Sequence, residues 1–277
     1  MKLKNMLALG QGQCGSTEPA TEAIRAAHDM RTTQRAEQST GKRSSLSRPA
    51  EGLRISTYLH VVESEDKAGF VTGKMLEGQI KVLNETFAPH GIQFVVKNVT
   101  HTLDTKWASA TRLREKDLAL RQVNYEELNI YFETGLMTTE GSVIGICSLP
   151  VEDPVNTGIN GTSWAIYDSC HVSPGTMPGG PGVPWISRDD DKDKTTTHEV
   201  GHWFGLFQAF GGYSCTGDGD FIDDTPAILE ASVGCPKGED SCPDQPGLDP
   251  IHNYMDCSSH DCLHHCKKSA CTGHSRL

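Results

Sequence analysis

The sequence predicts an α+β protein: five short strands, a helix among them, a second helix that carries chemistry, and a loop-rich, cysteine-rich remainder. Three observations predict it. Between residues 53 and 167, large apolar residues alternate with others in short runs, the period of a strand. Between the first two runs they recur at helical spacing instead. Further on, seven of the ten cysteines crowd into residues 215–271, among Gly, Pro and Asp. Strands and helices first, then a stapled loop region, is an α+β order with the chemical helix between the halves.

Residues 1–52 are rich in Ala, Thr, Ser, Arg and Glu and poor in large apolar residues, and read as a helical or flexible lead segment. Order begins near Leu53. Ile55, Thr57, Leu59 and Val61 alternate with Ser56, Tyr58, His60 and Val62, a strand. Leu76, Ile80, Leu83 and Phe87 form one stripe of a helix that ends near His90-Gly91. Residues 92–96 read as the second strand, and Leu128, Ile130 and Phe132 alternate with Asn129 and Tyr131 in the third. Residues 143–149, closed by Pro150, make the fourth, and residues 164–167 a weaker fifth. A Gly/Pro loop at 174–184 and a charge run at 189–194 follow. The next helix opens in Thr195-Thr196-Thr197, which supplies an N-cap, and runs through His198 to about Gly205. There is no internal repeat.

Composition removes several function classes. Lys plus Arg total 25 against 36 Asp plus Glu, a net charge of −11, which argues against nucleic acid as a partner. No run approaches about eighteen consecutive apolar residues, so no membrane-spanning helix is expected. With 36% hydrophobic and 22% charged residues the chain supports a packed core, and a monomer is expected. Cysteines in Gly/Pro loops read as disulfide staples or metal ligands. Sequons at Asn84, Asn98 and Asn160 agree with an extracellular, oxidising setting. Lys2 and Lys4 resemble a signal-peptide n-region, but the apolar run at 6–9 is too short to follow it, so a truncated start is expected.

The chemistry lies in His198-Glu199-Val200-Gly201-His202. Histidines at i and i+4 share one helix face, so both imidazoles reach one zinc ion. Glu199 beside them is placed to take a proton from an attacking water, and zinc polarises the carbonyl under attack. Gly205, three residues on, lets the chain turn back toward the metal. Downstream stand Asp223-Asp-Thr-Pro-Ala, Gly234-Cys-Pro, Ser241-Cys-Pro and Asn253-Tyr-Met-Asp. With these motifs, residues 53–262 resemble the pappalysin family of metzincin zinc endopeptidases, in particular its secreted fungal extracellular metalloproteases.

The resemblance implies a twisted mixed sheet above a cleft (residues 53–205) and an irregular lower subdomain (206–277), with 1–52 a propeptide remnant. It implies His198 and His202 as zinc ligands, Glu199 as general base and Met255 as the Met-turn methionine. Residues 143–149 become the edge strand that pairs with an extended protein or peptide substrate. It implies disulfides Cys215–Cys242 and Cys235–Cys262, with Cys147–Cys170 a third bridge. Cys14 resembles the cysteine by which some family propeptides block zinc. Asp218, Asp220, Asp223, Asp224 and Thr225 offer oxygen ligands for calcium.

Three departures bear on activity. The family's third ligand, a histidine, is here Gln208, whose carbonyl oxygen is a weaker zinc ligand. The family's tyrosine two residues after the Met-turn methionine is here Cys257, a poorer donor to an oxyanion. From about residue 263 the tail lacks the apolar stripe of the family's closing helix. Two readings stay open: a zinc endopeptidase that works with Gln208, and a catalytically impaired scaffold. A carboxylate third ligand, Asp218 or Asp220, is disfavoured by the Met-turn.

Overall fold

The computed structural model describes residues 21–40, 52–109, 113–122, 124–138, 141–151, 158–159, 162–183, 193–232, 234 and 236–256. The lead segment forms helix α1 (Thr21–Thr40). Then come β1 (Leu53–Glu63), α2 (Gly73–Phe87), β2 (Ile92–Leu103), α3 (Thr105–Ala108), α4 (Arg114–Leu120) and β3 (Leu128–Glu133). A hairpin of β4 (Met137–Thr138) and β5 (Gly141–Ser142) precedes β6 (Gly145–Cys147), α5 (Ser163–Tyr167), β7 (Cys170–Val172) and α6 (Thr195–Trp203).

The main sheet is five-stranded and mixed, in the order β2-β1-β3-β7-β6. The first four strands are parallel, and β6 is antiparallel to β7. β3 lies in the middle and all six of its residues are buried, as a strand covered on both faces requires. The Thr72 hydroxyl caps α2 by accepting from the Met75 amide, and Gly91, at φ +76°, ends the 3-10 turn Ala88–His90 that follows the helix. Met75, Leu76, Leu83 and Phe87 of α2 meet Leu59, Val61, Ile130 and Phe132 of the sheet and Val200, Trp203 and Phe204 of α6 in one core. That core seats α6 under the β7–β6 side of the sheet.

The other face of the sheet carries a buried polar layer. The Tyr131 ring stacks on His60 and His171 at 4.5 and 4.9 Å between centroids. His171 Nδ1 meets Glu133 Oε2 at 3.2 Å, and Lys116 of α4 pairs with the other oxygen of Glu133. Burial pushes the Glu133 carboxyl up to about 8 while Lys116 pulls the other way.

Several expectations need correction. Residues 164–167 are not a strand but part of α5, because the Thr162 hydroxyl caps a helix there by accepting from the Ala165 amide. The fifth strand is β7, three residues on. The strand expected at 143–149 pairs only over Gly145–Cys147. The Thr195-Thr196-Thr197 cluster lies inside α6 and is buried, and Lys194 holds the cap position without a side-chain bond. The helices α3 and α4 were not expected. Of the expected disulfides the structure contains Cys147–Cys170, across the β6–β7 pair, and Cys215–Cys242 in the lower half. Cys235–Cys262, Cys14, Cys257 and the tail from 263 lie outside the described residues. Among the described residues no helix is long and apolar enough to cross a membrane.

Candidate metal centre

α6 presents His198 and His202 on one face, and each ring is oriented by a main-chain carbonyl. His198 Nδ1 donates to the Tyr254 oxygen at 2.6 Å and His202 Nδ1 to the Leu206 oxygen at 2.8 Å. Those bonds put a proton on Nδ1 of each ring and turn both Nε2 atoms toward a common point. Burial, with His198 adding to it, pushes His202 down to about 3, so the ring is neutral. The two Nε2 atoms stand 3.1 Å apart.

The chain turns at the end of α6 so that a third group arrives. Gly205 has φ +93°, its amide donates to the His202 oxygen and the Leu206 amide to the Gly201 oxygen. This pair of bonds around a left-handed glycine is a Schellman turn, and it closes the helix back on itself. Ala209 then donates to the Met255 oxygen at 2.8 Å. The side chain between those anchors is Gln208, whose amide nitrogen lies 3.3 Å from His198 Nε2 and 3.2 Å from His202 Nε2.

Three side-chain tips thus form a triangle with edges of 3.1, 3.2 and 3.3 Å. Ligands about 2.0–2.1 Å from a tetrahedral zinc ion are about 3.3 Å apart, so the triangle is of the right size for three of its four ligands. Gln208 Oε1 is buried without a hydrogen-bond partner. A half-turn of the amide brings that oxygen onto the triangle. The donor set therefore fits a zinc ion. Among the described residues no three His, Cys, Asp or Glu side chains converge on one point, because the third member here is an amide.

Met255 lies against α6. A Cβ added to Gly201 would stand 2.5 Å from Met255 Sδ, so the helix and the turn touch only because residue 201 is glycine. The turn is held by Asn253, whose Oδ1 accepts from the Met255 amide at 3.0 Å. Glu199 is buried under β6: a Cβ on Gly145 would stand 2.5 Å from its Oε1. Burial pushes the Glu199 carboxyl well above the usual carboxylate range. Sequence reasoning missed Gly145 and the carbonyls of Tyr254 and Leu206, and no local signal points to them.

The acidic loop is partnered differently from the calcium expectation. Arg31 Nε reaches Asp223 Oδ1 at 2.6 Å, Arg31 Nη1 reaches Asp218 Oδ1 at 3.0 Å, and Arg35 Nη2 reaches Asp223 Oδ1 at 2.7 Å. Asp220 is buried and accepts from the Ile222 amide, and that burial pushes its carboxyl up to about 7. Thr225 and Asp224 lie near Asp220, and among the described residues no three carboxylates gather into a metal cage. α1 is thereby clasped to the lower half.

Comparison with known proteins agrees with the geometry. The peptidase M43 profile, described as pregnancy-associated plasma protein-A, matches residues 185–268. An extracellular metalloprotease of Pyricularia oryzae is 42% identical over 252 residues, covering 90% of this chain and 82% of that one. Extracellular metalloprotease 1 of Coccidioides posadasii is 38% identical over 261 residues, covering 92% and 84%. A promirolysin variant of Tannerella forsythia aligns with a TM-score of 0.64 at 24% identity, covering 94% of this chain and 91% of that one. Mature mirolysin in complex with a cleaved peptide aligns with a TM-score of 0.61 at 24% identity, covering 80% and 90%.

Proposed function

Because the chain belongs to the extracellular metalloprotease family of the pappalysin type, we propose that it is a secreted, zinc-dependent endopeptidase. His198, His202 and the Gln208 carbonyl oxygen hold the ion, and Glu199 is the general base. The observation that carries this reading is the triangle of side-chain tips. Zinc, when bound, supplies a Lewis acid for the scissile carbonyl and makes water more acidic. The chain's own residues do the rest. The Tyr254 and Leu206 carbonyls hold both imidazoles in the tautomer that offers Nε2. The buried Glu199 takes a proton from the attacking water and returns it to the departing amine. Among the described residues only β7 pairs with β6, and the other edge of β6 takes an extended peptide. Secretion is supported by the extracellular relatives and by the two disulfides. Calcium is not part of the proposal, because Arg31 and Arg35 take two of the five oxygen-bearing residues.

One observation favours a second reading. As the amide stands, the two hydrogens of Gln208 Nε2 face the Nε2 atoms of both imidazoles, so both rings are hydrogen-bonded with no ion. That arrangement supports a metal-free, catalytically impaired scaffold. Zinc titration calorimetry and casein cleavage, run on the protein and its Gln208→His variant, decide between them. Chelator-sensitive cleavage by the unmodified protein is expected, with tighter zinc binding and faster cleavage in the variant. Zinc binding and cleavage confined to the variant would sink the enzyme reading for this chain.

A further inference from the structure

A cavity of about 390 Å³ opens beside the triad, within the size range of about 300–1,000 Å³ for ligand pockets. Its walls are two aromatic pairs, Phe207 with Phe221 at 5.8 Å and Phe210 with Tyr213 at 5.7 Å between centroids. Leu149 adds an aliphatic side chain, and His202 and Gln208 stand on its inner wall. Among the described lining residues the one carboxylate is Asp218, which is already paired with Arg31. Nothing in the metal centre itself needs these aromatic rings. We infer that this cavity is a specificity subsite that takes a large apolar side chain lying just before the scissile bond of an extended peptide. The inference rests on the endopeptidase reading above and names its substrate class.

The position follows from β6. Glu199 lies against Gly145 at the start of that strand, while Cys147 at its end and Leu149 beyond line the cavity. An added strand is more stable antiparallel than parallel. An antiparallel peptide passes Leu149 and Cys147 first and reaches Gly145 and Glu199 afterwards. Side chains that enter the cavity therefore precede the bond that Glu199 serves. The apolar preference has a second support. The chain's own lead helix, held by the arginine clasp, puts Ile24 among the residues that line the cavity, so the cavity already borders an aliphatic side chain.

The test uses the full chain carrying Arg31→Ala and Arg35→Ala, which unclasps the lead helix, with and without Phe210→Asp. A proteome-derived peptide library is digested and the cut sites are read by mass spectrometry. Phe, Tyr, Leu, Ile or Met should be enriched about tenfold in one of the two positions before the cut, and Phe210→Asp should abolish that enrichment while preferences after the cut persist. Enrichment of Lys or Arg there, enrichment only after the cut, or a profile unchanged by Phe210→Asp would overturn the inference. Binding of blocked Gly-Phe-Gly, Gly-Ala-Gly and Gly-Lys-Gly peptides, followed by saturation-transfer NMR, stands independently of chemistry. Preference for the Phe peptide without cleavage keeps the subsite and removes only the enzyme reading. Absence of that preference removes the subsite. If Phe210→Asp fails to fold, Tyr213→Ala at the exposed rim replaces it, with an expected rise in KM for Phe-containing peptides and an unchanged kcat.

Discussion

Gly145 shows how one missing Cβ can set the position of a buried carboxylate. An alanine there would place its methyl 2.5 Å from Glu199 Oε1 and 2.6 Å from Cγ, so the carboxylate has to move. A displacement near 1 Å at a reacting group costs about 100-fold. Gly145→Ala should therefore lower kcat about 100-fold with an unchanged circular dichroism spectrum, and full activity would contradict the placement of Glu199. His60 supplies a pH prediction. Its Nε2 lies 2.9 Å from Asn129 Oδ1, which also accepts from the Gln122 amide, so Nε2 carries the proton and Nδ1 accepts from Thr100. Burial pushes the ring down to about 4. The unfolded chain takes up a proton near pH 6.5 and the folded one does not until about 4, so stability is lost as pH falls through that window. The loss is about 3 kcal/mol from this residue. Urea unfolding at pH 7.5 and 4 should show a smaller drop for His60→Gln than for the parent, and equal drops would exclude His60 as a source. Neither residue was legible as special. The strand alternation located His60, but its partners Thr100 and Asn129 come from other strands.

Among the elements, β6 is the one most in need of help. It has three residues at a sheet edge and, among the described residues, one neighbouring strand, β7. The Cys147–Cys170 bridge fastens it, closing a sequence separation of 23 residues, worth about 3 kcal/mol in the chain-entropy picture. Replacing both cysteines by alanine should cost about that much in urea unfolding, with faster amide exchange in β6 than in β3. Unchanged exchange at 145–147 would mean that packing on α6 suffices to hold the strand. The longer elements were legible because their periods repeat. The stripe Leu76, Leu83, Phe87 is the buried face of α2, and the alternation at 128–132 marks β3. The short ones were not. Four residues at 164–167 show too little period to separate strand from helix, and the cap at Thr162 settled the matter.

At the scale of the molecule, α1 joins the two ends of the chain by charge. Arg31 and Arg35 hold Asp218 and Asp223 across 187 and more residues of sequence. The Arg35 side chain and both carboxylates are well exposed, and exposed ion pairs are weak and screened by salt. Raising ionic strength from about 0.1 M to about 1 M should accelerate hydrogen exchange in α1 while β1 and β3 keep their protection. Equal protection at both salts would show that apolar contacts hold the helix instead. The same contact shows what sequence distance hides: Asp218 and Asp223 of the acidic loop are answered by arginines of α1.

What the sequence determined by itself is whatever the covalent chain enforces locally. Two histidines four apart on a helix must share a face, a glycine three residues later permits the turn, and alternating apolar residues must line a sheet. Those features place the candidate metal centre on α6. Only the tertiary structure decided that the Gln208 amide completes the triangle, that Gly145 lies over Glu199, and that Tyr254, 56 residues away, orients His198. Each of these depends on long-range closure of the chain, where packing and hydrogen bonding select one arrangement among many that local geometry allows equally.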